Sequence, residues 1–364
     1  MRILIIAPEQ IPVPPPVGGS VEHCIFQIAK KISSKHSVTI VSRWRSGFPK
    51  KSIHGHITII RVPGSTKKAY LNNVLQYIRY HRYDVIQIDN RPRFIPVIRR
   101  TFPHSKISLF LHSTTFISPP MTSVRQAASD LKYANLIIGN SRSLRSYLIK
   151  TFPSQSHKVR FVHLGVDLHA FRPRKMRKAK GRSFVILFAG RLIPRKGIPV
   201  LIKAVKIVRK TVPNARLSIA GGTGDPSYRL HLRRLASKLK IPVTFKGYVS
   251  RRSMPRFYNS GDCFVCPSQR HEAFGLVNVE AMASGTPVVA SRNGGIPEII
   301  QHQRNGLLVT KYTSPSAFAK QILIIARNRK KAKKLVRQAR IDVQQRFSWR
   351  LTAKQLTGIY ASKR

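Results

Sequence analysis

The sequence predicts an α/β chain of two Rossmann-like domains, each built on a parallel sheet. Three observations predict it. The chain has 364 residues, long for a single core, and 42% of them are hydrophobic, enough for two. Short apolar runs alternate with stretches of helical spacing along the whole chain, the pattern of right-handed β–α crossovers. Those runs end in Gly-, Pro- and Asn-rich turns, and a polar, basic, turn-rich run over 172–183 divides them into two series.

In the first series a strand over 3–7 runs into a proline-stiffened loop that ends at Gly18 and Gly19. A helix then starts near Ser20 and carries Ile25, Ile28, Ala29 and Ile32 on one side. A glycine pair between strand and helix either lets backbone N–H groups meet a phosphate or makes a plain turn; the Gly-x-Gly-x-x-Gly spacing is absent. Further strands are expected over 38–42, 57–62, 85–88, 107–111 and 136–139, with helical spacing over 70–83. Asp89-Asn90-Arg91-Pro92 closes the fourth strand at its carboxyl end, the side where such sheets bind ligands. Asp89 there either holds a substrate hydroxyl or caps the loop. His112 stands at the carboxyl end of the next strand, as a structural histidine or as a site residue.

The second series opens with a continuous apolar strand over 184–189, of the kind buried on both faces. Arg191 and Lys196 follow it, just before a helix over 198–209, so two cations stand between a strand end and a helix start. Strands over 217–220, 243–247, 263–266 and 288–291 continue the pattern, with a short strand at 307–309. Cys263 and Cys266 fall inside a buried strand, which makes them core thiols rather than a zinc or redox pair. A basic helix over 327–345 has Leu335, Val336, Ala339 and Val343 on its apolar side; it either lies on an anionic membrane or shows water a solvated basic face.

With 67 Lys and Arg against 12 Asp and Glu, the formal charge is +55. Such an excess attracts polyanions of any kind: phospholipid, anionic glycan or nucleic acid. It runs along nearly the whole chain, which points to compositional bias rather than one binding patch. The basic run at 172–183 has no interleaved aromatics, so no specific nucleic-acid partner is expected. Three cysteines give no even disulfide framework and suit a reducing compartment. No apolar run approaches a membrane span, and the first strand is too short for a secretion signal, so a cytoplasmic protein is expected.

Acids are rare here, yet Glu272, Glu280 and Glu298 cluster in an apolar, Gly-rich stretch. Glu272 precedes a helix over 276–283 that Gly275 opens and Gly285 with Pro287 stops. A helix start beside two carboxylates offers an anion site flanked by acceptors for hydroxyls, which suits a diphosphate linked to a sugar and a ribose.

Glu272-x7-Glu280, the following Ala-x-Ala-x-Gly-Thr-Pro-Val-Val, Gly294-Gly295-Ile296-Pro297-Glu298 and Gly190-Arg191-x4-Lys196-Gly197 resemble retaining glycosyltransferase family 4. The resemblance covers almost the whole chain. It implies the GT-B fold, with two Rossmann-like domains facing across a cleft. The expected division is an acceptor-side domain over 1–171, a linker at 172–183, a donor domain over 184–346 and a closing segment, 347–364, returning to the first domain. The Pro-rich loop with Gly-Gly and the Asn-Arg-Pro after strand four are similar to a spore-coat subgroup of that family. Two departures stand out: Asp89 where many members carry His nearby, and Leu-Gly-Val-Asp at 164–167 in place of Asn-Gly-Val-Asp.

The resemblance implies a hexosyltransferase that moves sugar with retention from a nucleotide sugar, a UDP-sugar, to a glycan, glycolipid or protein acceptor in cell-surface or spore-coat polysaccharide synthesis. The alternative is a coat or scaffold protein that keeps the fold without turnover. Arg191 and Lys196 would hold the diphosphate, helped by N–H groups near Gly19 and at Phe274, Gly275 and Leu276. Glu280 would bind ribose hydroxyls, Glu272 hydroxyls of the moving sugar, and Tyr248 with Val249 the base. The acceptor would enter near His112. No Asp-x-Asp is present and two cations can replace a metal at the phosphates, so metal independence and no cofactor are expected. Peripheral contact with an anionic membrane, or with a spore coat, would follow from the charge.

Overall fold

The computed structural model describes residues 1–174 and 183–362. Of the linker expected over 172–183, residues 175–182 lie outside the described residues. By contacts the chain divides into two units, Met1–Leu164 with Trp349–Arg364, and Gly165–Ser348.

The first unit is built on eight strands: β1 (Arg2–Ile6), β2 (Ser37–Arg43), β3 (Lys51–His54), β4 (Ile57–Val62), β5 (Val85–Asp89), β6 (Lys106–Leu111), β7 (Leu136–Gly139) and β8 (Val159–Phe161). Their order is β3-β4-β2-β1-β5-β6-β7-β8. Every pair is parallel except β3 with β4. Ile3 lies opposite Val38 on one side and Val85 on the other, so β1 is central and wholly buried beyond Arg2. Strand order reverses between β1 and β5, and loops after these strands gather at their carboxyl ends. The apolar pattern marks neither β3 nor β8. β3 has one apolar residue, Ile53, and that side chain is exposed; β8 is a three-residue edge strand.

The helix Trp349–Ala361 closes this unit, although its chain neighbours belong to the other. It packs on the helix Ser20–Ile32, with the His23 and Trp349 rings 6.1 Å apart. Thr352 Oγ1 donates to the His163 carbonyl at 2.8 Å, and Lys106 Nζ to the Tyr360 carbonyl at 2.8 Å.

The second unit holds β9 (Val185–Ala189), β10 (Arg216–Ala220), β11 (Val243–Gly247), β12 (Cys263–Cys266), β13 (Val288–Ser291) and β14 (Leu307–Val309), all parallel, in the order β11-β10-β9-β12-β13-β14. The helices Ile198–Arg209 and Pro315–Arg327 bury Leu201, Ile202, Phe318 and Ile322 against the sheet. Cys263 and Cys266 are buried free thiols in β12, and burial pushes both up from the ordinary thiol value. The basic helix runs from Arg329 to Arg346, not from 327: Arg327 ends the preceding helix, and Asn328 caps the new one by accepting from the Lys331 N–H at 2.8 Å. Among the described residues no helix is long and apolar enough to cross a membrane.

Candidate active site

In the second unit the sheet's carboxyl end brings Lys196 and Glu272 together. β9 ends at Ala189, and the turn Pro194–Lys196 hands the chain to the next helix through Gly197. Gly197 has φ +71°, and a Cβ there would lie 1.9 Å from the Pro267 carbonyl oxygen. Only glycine lets this turn press against the loop after β12. Gln269 secures the contact: its N–H donates to the Arg195 carbonyl at 2.8 Å, and its Nε2 to the carbonyls of Pro267 at 2.7 Å and Tyr312 at 2.8 Å. Lys196 Nζ thereby reaches Glu272 Oε2 at 2.5 Å across 76 positions of chain, and Ser268 Oγ donates to the same oxygen at 2.8 Å. Oε1 of Glu272 accepts no hydrogen bond among the described residues.

Burial by itself would raise the Glu272 carboxyl; Lys196, Ser268 and Arg195 outweigh it and hold the group below the ordinary carboxylate value. The Arg191 guanidinium is pushed down from its ordinary value, first by the protein around it, then by Arg195, while Glu272 acts in the opposite sense. Arg191 is therefore within electrostatic reach of the pair.

The Gly294–Gly295 loop braces Glu272 from behind. Gly295 N–H donates to the Glu272 carbonyl at 2.8 Å, and Asn293 Nδ2 to the Arg270 carbonyl at 2.8 Å. Gly294 has φ +57°, and a Cβ would come within 2.1 Å of the Glu272 oxygen. Beyond Glu272 the helix Leu276–Ala283 starts on Gly275, at φ +90°, with no side-chain cap. An uncapped helix start leaves N–H groups for water or an anion. Phe274 is buried, its ring set edge-on to Phe347 at 5.9 Å, so only its backbone can serve a ligand.

Glu280 lies in the second turn of this helix and is buried. Both its oxygens are engaged: Arg251 reaches Oε1 at 2.7 Å, and the Tyr258 hydroxyl donates to Oε2 at 2.9 Å. Cys266 links the two acids, feeling Glu272 and Lys196 on one side while Tyr258 feels Glu280 and Cys266 on the other. Tyr248 and Val249 follow the edge strand β11, with Tyr248 exposed. Ser268, Arg195, Arg251 and Tyr258 are site residues that spacing did not single out. Ser268 alone had a signal, four residues before Glu272.

The first unit carries its own cluster at the carboxyl ends of β1, β5 and β6. Gly19, at φ +65°, precedes the helix Ser20–Ile32, and a Cβ there would meet Pro15 at 2.7 Å. A structural need for glycine at Gly19 is thus present whatever else it does. Asp89 is fully buried with both oxygens engaged inside the fold: its Oδ1 pairs with His112 Nε2 at 2.8 Å, and its Oδ2 accepts from Gln87 Nε2 at 2.6 Å. The reason is placement. Asp89 and His112 end adjacent parallel strands, so their side chains meet beneath the loops. His112 is further fixed by its backbone, whose N–H donates to Asn90 Oδ1 at 2.9 Å and whose carbonyl accepts from Asn140 Nδ2 at 3.2 Å. Glu22, in the first helical turn, is buried within reach of His112, Asp89 and Arg91, and burial raises its carboxyl. Arg91 pairs with Glu9 through Nε to Oε2 at 2.5 Å and NH2 to Oε1 at 2.9 Å, tying the Pro-rich loop to the end of β5. Beside Glu9 opens a groove of 720 Å³ lined by Arg43, Trp44 and Arg45.

Two family models match in succession: Glycosyltransferase Family 4 over 17–170 and Glycosyl transferases group 1 over 172–342. A putative glycosyltransferase of Bacillus subtilis, YtcC, is 31% identical over 379 residues, covering 100% of this chain and 92% of that protein. The chain belongs to glycosyltransferase family 4. As a family 4 glycosyltransferase it is an enzyme, and the spore-coat likeness extends to Spore coat protein SA of Bacillus subtilis, 28% identical over the full length of both chains. Its architecture matches GT-B structures. Anabaena HepE, solved in complex with UDP and glucose, superposes with a TM-score of 0.81 at 24% identity over 100% of both chains.

Proposed function

We propose that this family 4 enzyme transfers a hexosyl group with retention from a UDP-sugar to a glycan, glycolipid or protein acceptor, in cell-surface or spore-coat polysaccharide synthesis. One observation carries the reading. A lysine and a carboxylate 76 positions apart meet at 2.5 Å beside an uncapped helix start, with Arg191 in electrostatic reach. Cations and helix N–H groups there suit the diphosphate and stabilise it as it leaves. Glu272 offers Oε1 to hydroxyls of the sugar. Glu280 accepts ribose hydroxyls at the oxygen now held by Arg251. Tyr248 and Val249 flank the base, and N–H groups near Gly19 assist at the phosphates. The UDP complexes of HepE, at the same fold, support this donor.

In the transfer the bond from the anomeric carbon to the phosphate oxygen breaks, and a bond from that carbon to the acceptor oxygen forms on the same face. The acceptor proton passes to a departing phosphate oxygen. With two cations at the diphosphate, the reaction proceeds without a metal. The acceptor approaches over His112. Its sugar ring stacks on Trp44, and Arg43 with Arg45 receive an anionic substituent of the acceptor. The enzyme works in the cytoplasm, in peripheral contact with an anionic membrane or the coat.

The test is nucleoside diphosphate release over a panel of nucleotide sugars, with and without EDTA, and proton NMR of the product anomer. A UDP-sugar, turnover in EDTA and a retained anomer are expected. Lys196→Ala and Glu272→Gln should each lower kcat by about 100-fold or more, the scale of losing one charge-stabilising group. Unchanged turnover in both variants removes these roles.

A further inference from the structure

The first unit has a second opening, at the end of its sheet opposite the groove beside Glu9. This pocket has a volume of 480 Å³, within the range of about 300–1,000 Å³ usual for small-ligand sites. Arg2, Ser37 and Thr39 line it from β1 and β2, and Tyr80, Arg82 and Tyr83 line it from the turn before β5. Arg2 begins β1 and lies opposite Ser37, whereas Glu9 follows the other end of that strand. The length of β1, about 16 Å, thus stands between the two openings.

The turn follows the helix Lys67–Ile78 and reads Tyr77-Ile78-Arg79-Tyr80-His81-Arg82-Tyr83, with aromatic and basic residues interleaved. The rings of Tyr77, His81 and Tyr83 stack on one another, with centroids 5.3 and 6.3 Å apart and planes tilted by 20° and 25°. Phe102 meets Tyr83 edge-on at 6.0 Å. The row of rings stiffens the turn. It leaves Tyr80 standing outside, 77% exposed, with the Arg79 guanidinium 4.6 Å from the ring centre. That ring contributes little to the core and is open to a flat apolar face.

The charges point the same way. Among the described residues no acid lines the pocket. Asp84, next in the chain, accepts from the Arg2 N–H at 2.6 Å, while its other oxygen is 4.0 Å from the Arg2 guanidinium. The backbone has the shorter bond, so the exposed guanidinium keeps its capacity for an anion, beside Arg82. Ser37, Thr39, Tyr80 and Tyr83 bring hydroxyls to the same lining. Burial pushes the Tyr83 phenol up to about 12, which keeps it a neutral donor near these cations.

We propose that this pocket is a second, non-catalytic glycan site that holds one anionic sugar unit, carboxylated or phosphorylated. Tyr80 takes the C–H face of the sugar ring, Arg2 and Arg82 take the anion, and the hydroxyls pair with those of the sugar. This rests on the reading that the enzyme works on glycans. A single strand of nucleic acid is the poorer fit, because it needs successive open ring faces. Here three rings of the turn are stacked on each other, and Tyr80 alone presents a face. Holding a glycan at this end of the sheet raises its effective concentration at the enzyme without touching the chemistry.

The test is calorimetric titration of the full chain with trigalacturonate, pentamannose phosphate and hexauridylate. Salt at about 0.3 M screens the general charge beyond roughly 6 Å. The variants are Tyr80→Ala, which changes no charge, and Arg82→Ala, with Lys330→Ala as the charge control on the exposed face of the Arg329–Arg346 helix. Tyr80 and Arg82 are exposed, so neither truncation opens the core. At least one of the two sugars should bind, and the tighter one names the anionic group. Tyr80→Ala and Arg82→Ala should each weaken it about 10-fold, while Lys330→Ala stays within about twofold of wild type. Failure of both sugars to bind wild type, or unchanged binding in Tyr80→Ala, overturns the proposal. So does a loss of hexauridylate binding in Tyr80→Ala larger than that of the sugars, which would mark a nucleic-acid platform instead. UDP titrated into the same proteins reads the donor site separately and should bind all of them within about twofold. If UDP fails to bind while the sugars behave as expected, the donor reading falls and this site stands.

Discussion

At the scale of residues, the charged groups of the second unit are arranged so that each needs the next. Lys196, with Ser268 and Arg195, holds the Glu272 carboxyl below its ordinary value against the upward push of burial. The linkage has a definite sign. Because the folded carboxyl titrates below its ordinary value of 4.5, the ion pair contributes stability that is fully present above about pH 4.5. That contribution is lost as pH falls through the lowered folded value. Urea midpoints of wild type and Glu272→Gln, measured from pH 7 to pH 3, should differ by a constant amount down to about 4.5 and converge below it. A gap that widens on acidification would contradict the assignment. His112 depends on a neighbour from a distant part of the sequence. Its partner, Asp89, was legible in the sequence only as a loop residue at a strand end. That it sits under His112 depends on the register of β5 against β6, which no local pattern states.

At the scale of elements, the site is made by close approaches that only glycine permits. Gly197→Ala puts a methyl group 1.9 Å from the Pro267 oxygen at φ +71°, so the turn carrying Lys196 must back away from the loop carrying Glu272. Chemical denaturation should show a loss of more than about 1 kcal/mol, with turnover falling further than stability. Gly222→Ala, in the next glycine loop with nothing within 4 Å of its Cβ, is the control and should stay within about 0.5 kcal/mol. Strands buried on both faces, such as β1, β9 and β13, were readable because an unbroken apolar run has few other uses. The glycine and acid motifs were readable for a related reason: they interrupt such runs where the sheet ends. What stayed hidden is polar or short. β3 rests on a hairpin through Gly55, and the partners of Glu280, Tyr258 and Arg251, come from a segment that carries no pattern of its own.

At the scale of the whole molecule, most of the few acids are spent on partners within the protein itself. Glu9, Asp89, Glu272, Glu280 and Asp342 are each tied to a cation or histidine within their own unit. Asp225 and Asp167 bind backbone N–H groups. Little acid is left to screen a formal charge of +55. Heparin and mixed-sequence RNA should therefore both bind, with similar steep salt dependence and no preference among RNA sequences. Competition titrations at two salt concentrations check this; a marked sequence preference would show a specific nucleic-acid site. The last helix adds a second expectation. Trp349, Leu356 and Tyr360 are buried in the first unit, so a chain cut after Ser348 should lose stability in that unit, by about 3 kcal/mol or more. Proteolysis of the cut chain should open sites before residue 164 first.

The grip of Arg191 and Lys196 on a donor diphosphate is tested most directly by calorimetric titration of UDP into wild type and into Arg191→Ala/Lys196→Ala. A charge-matched control, Lys330→Ala/Lys333→Ala, removes the same two charges from the exposed face of the Arg329–Arg346 helix. If the two cations hold the diphosphate, the site variant loses affinity by about 100-fold or more while the control binds as wild type does. Equal affinity in all three proteins would mean that UDP answers only to the overall charge, and the site would have to be sought elsewhere.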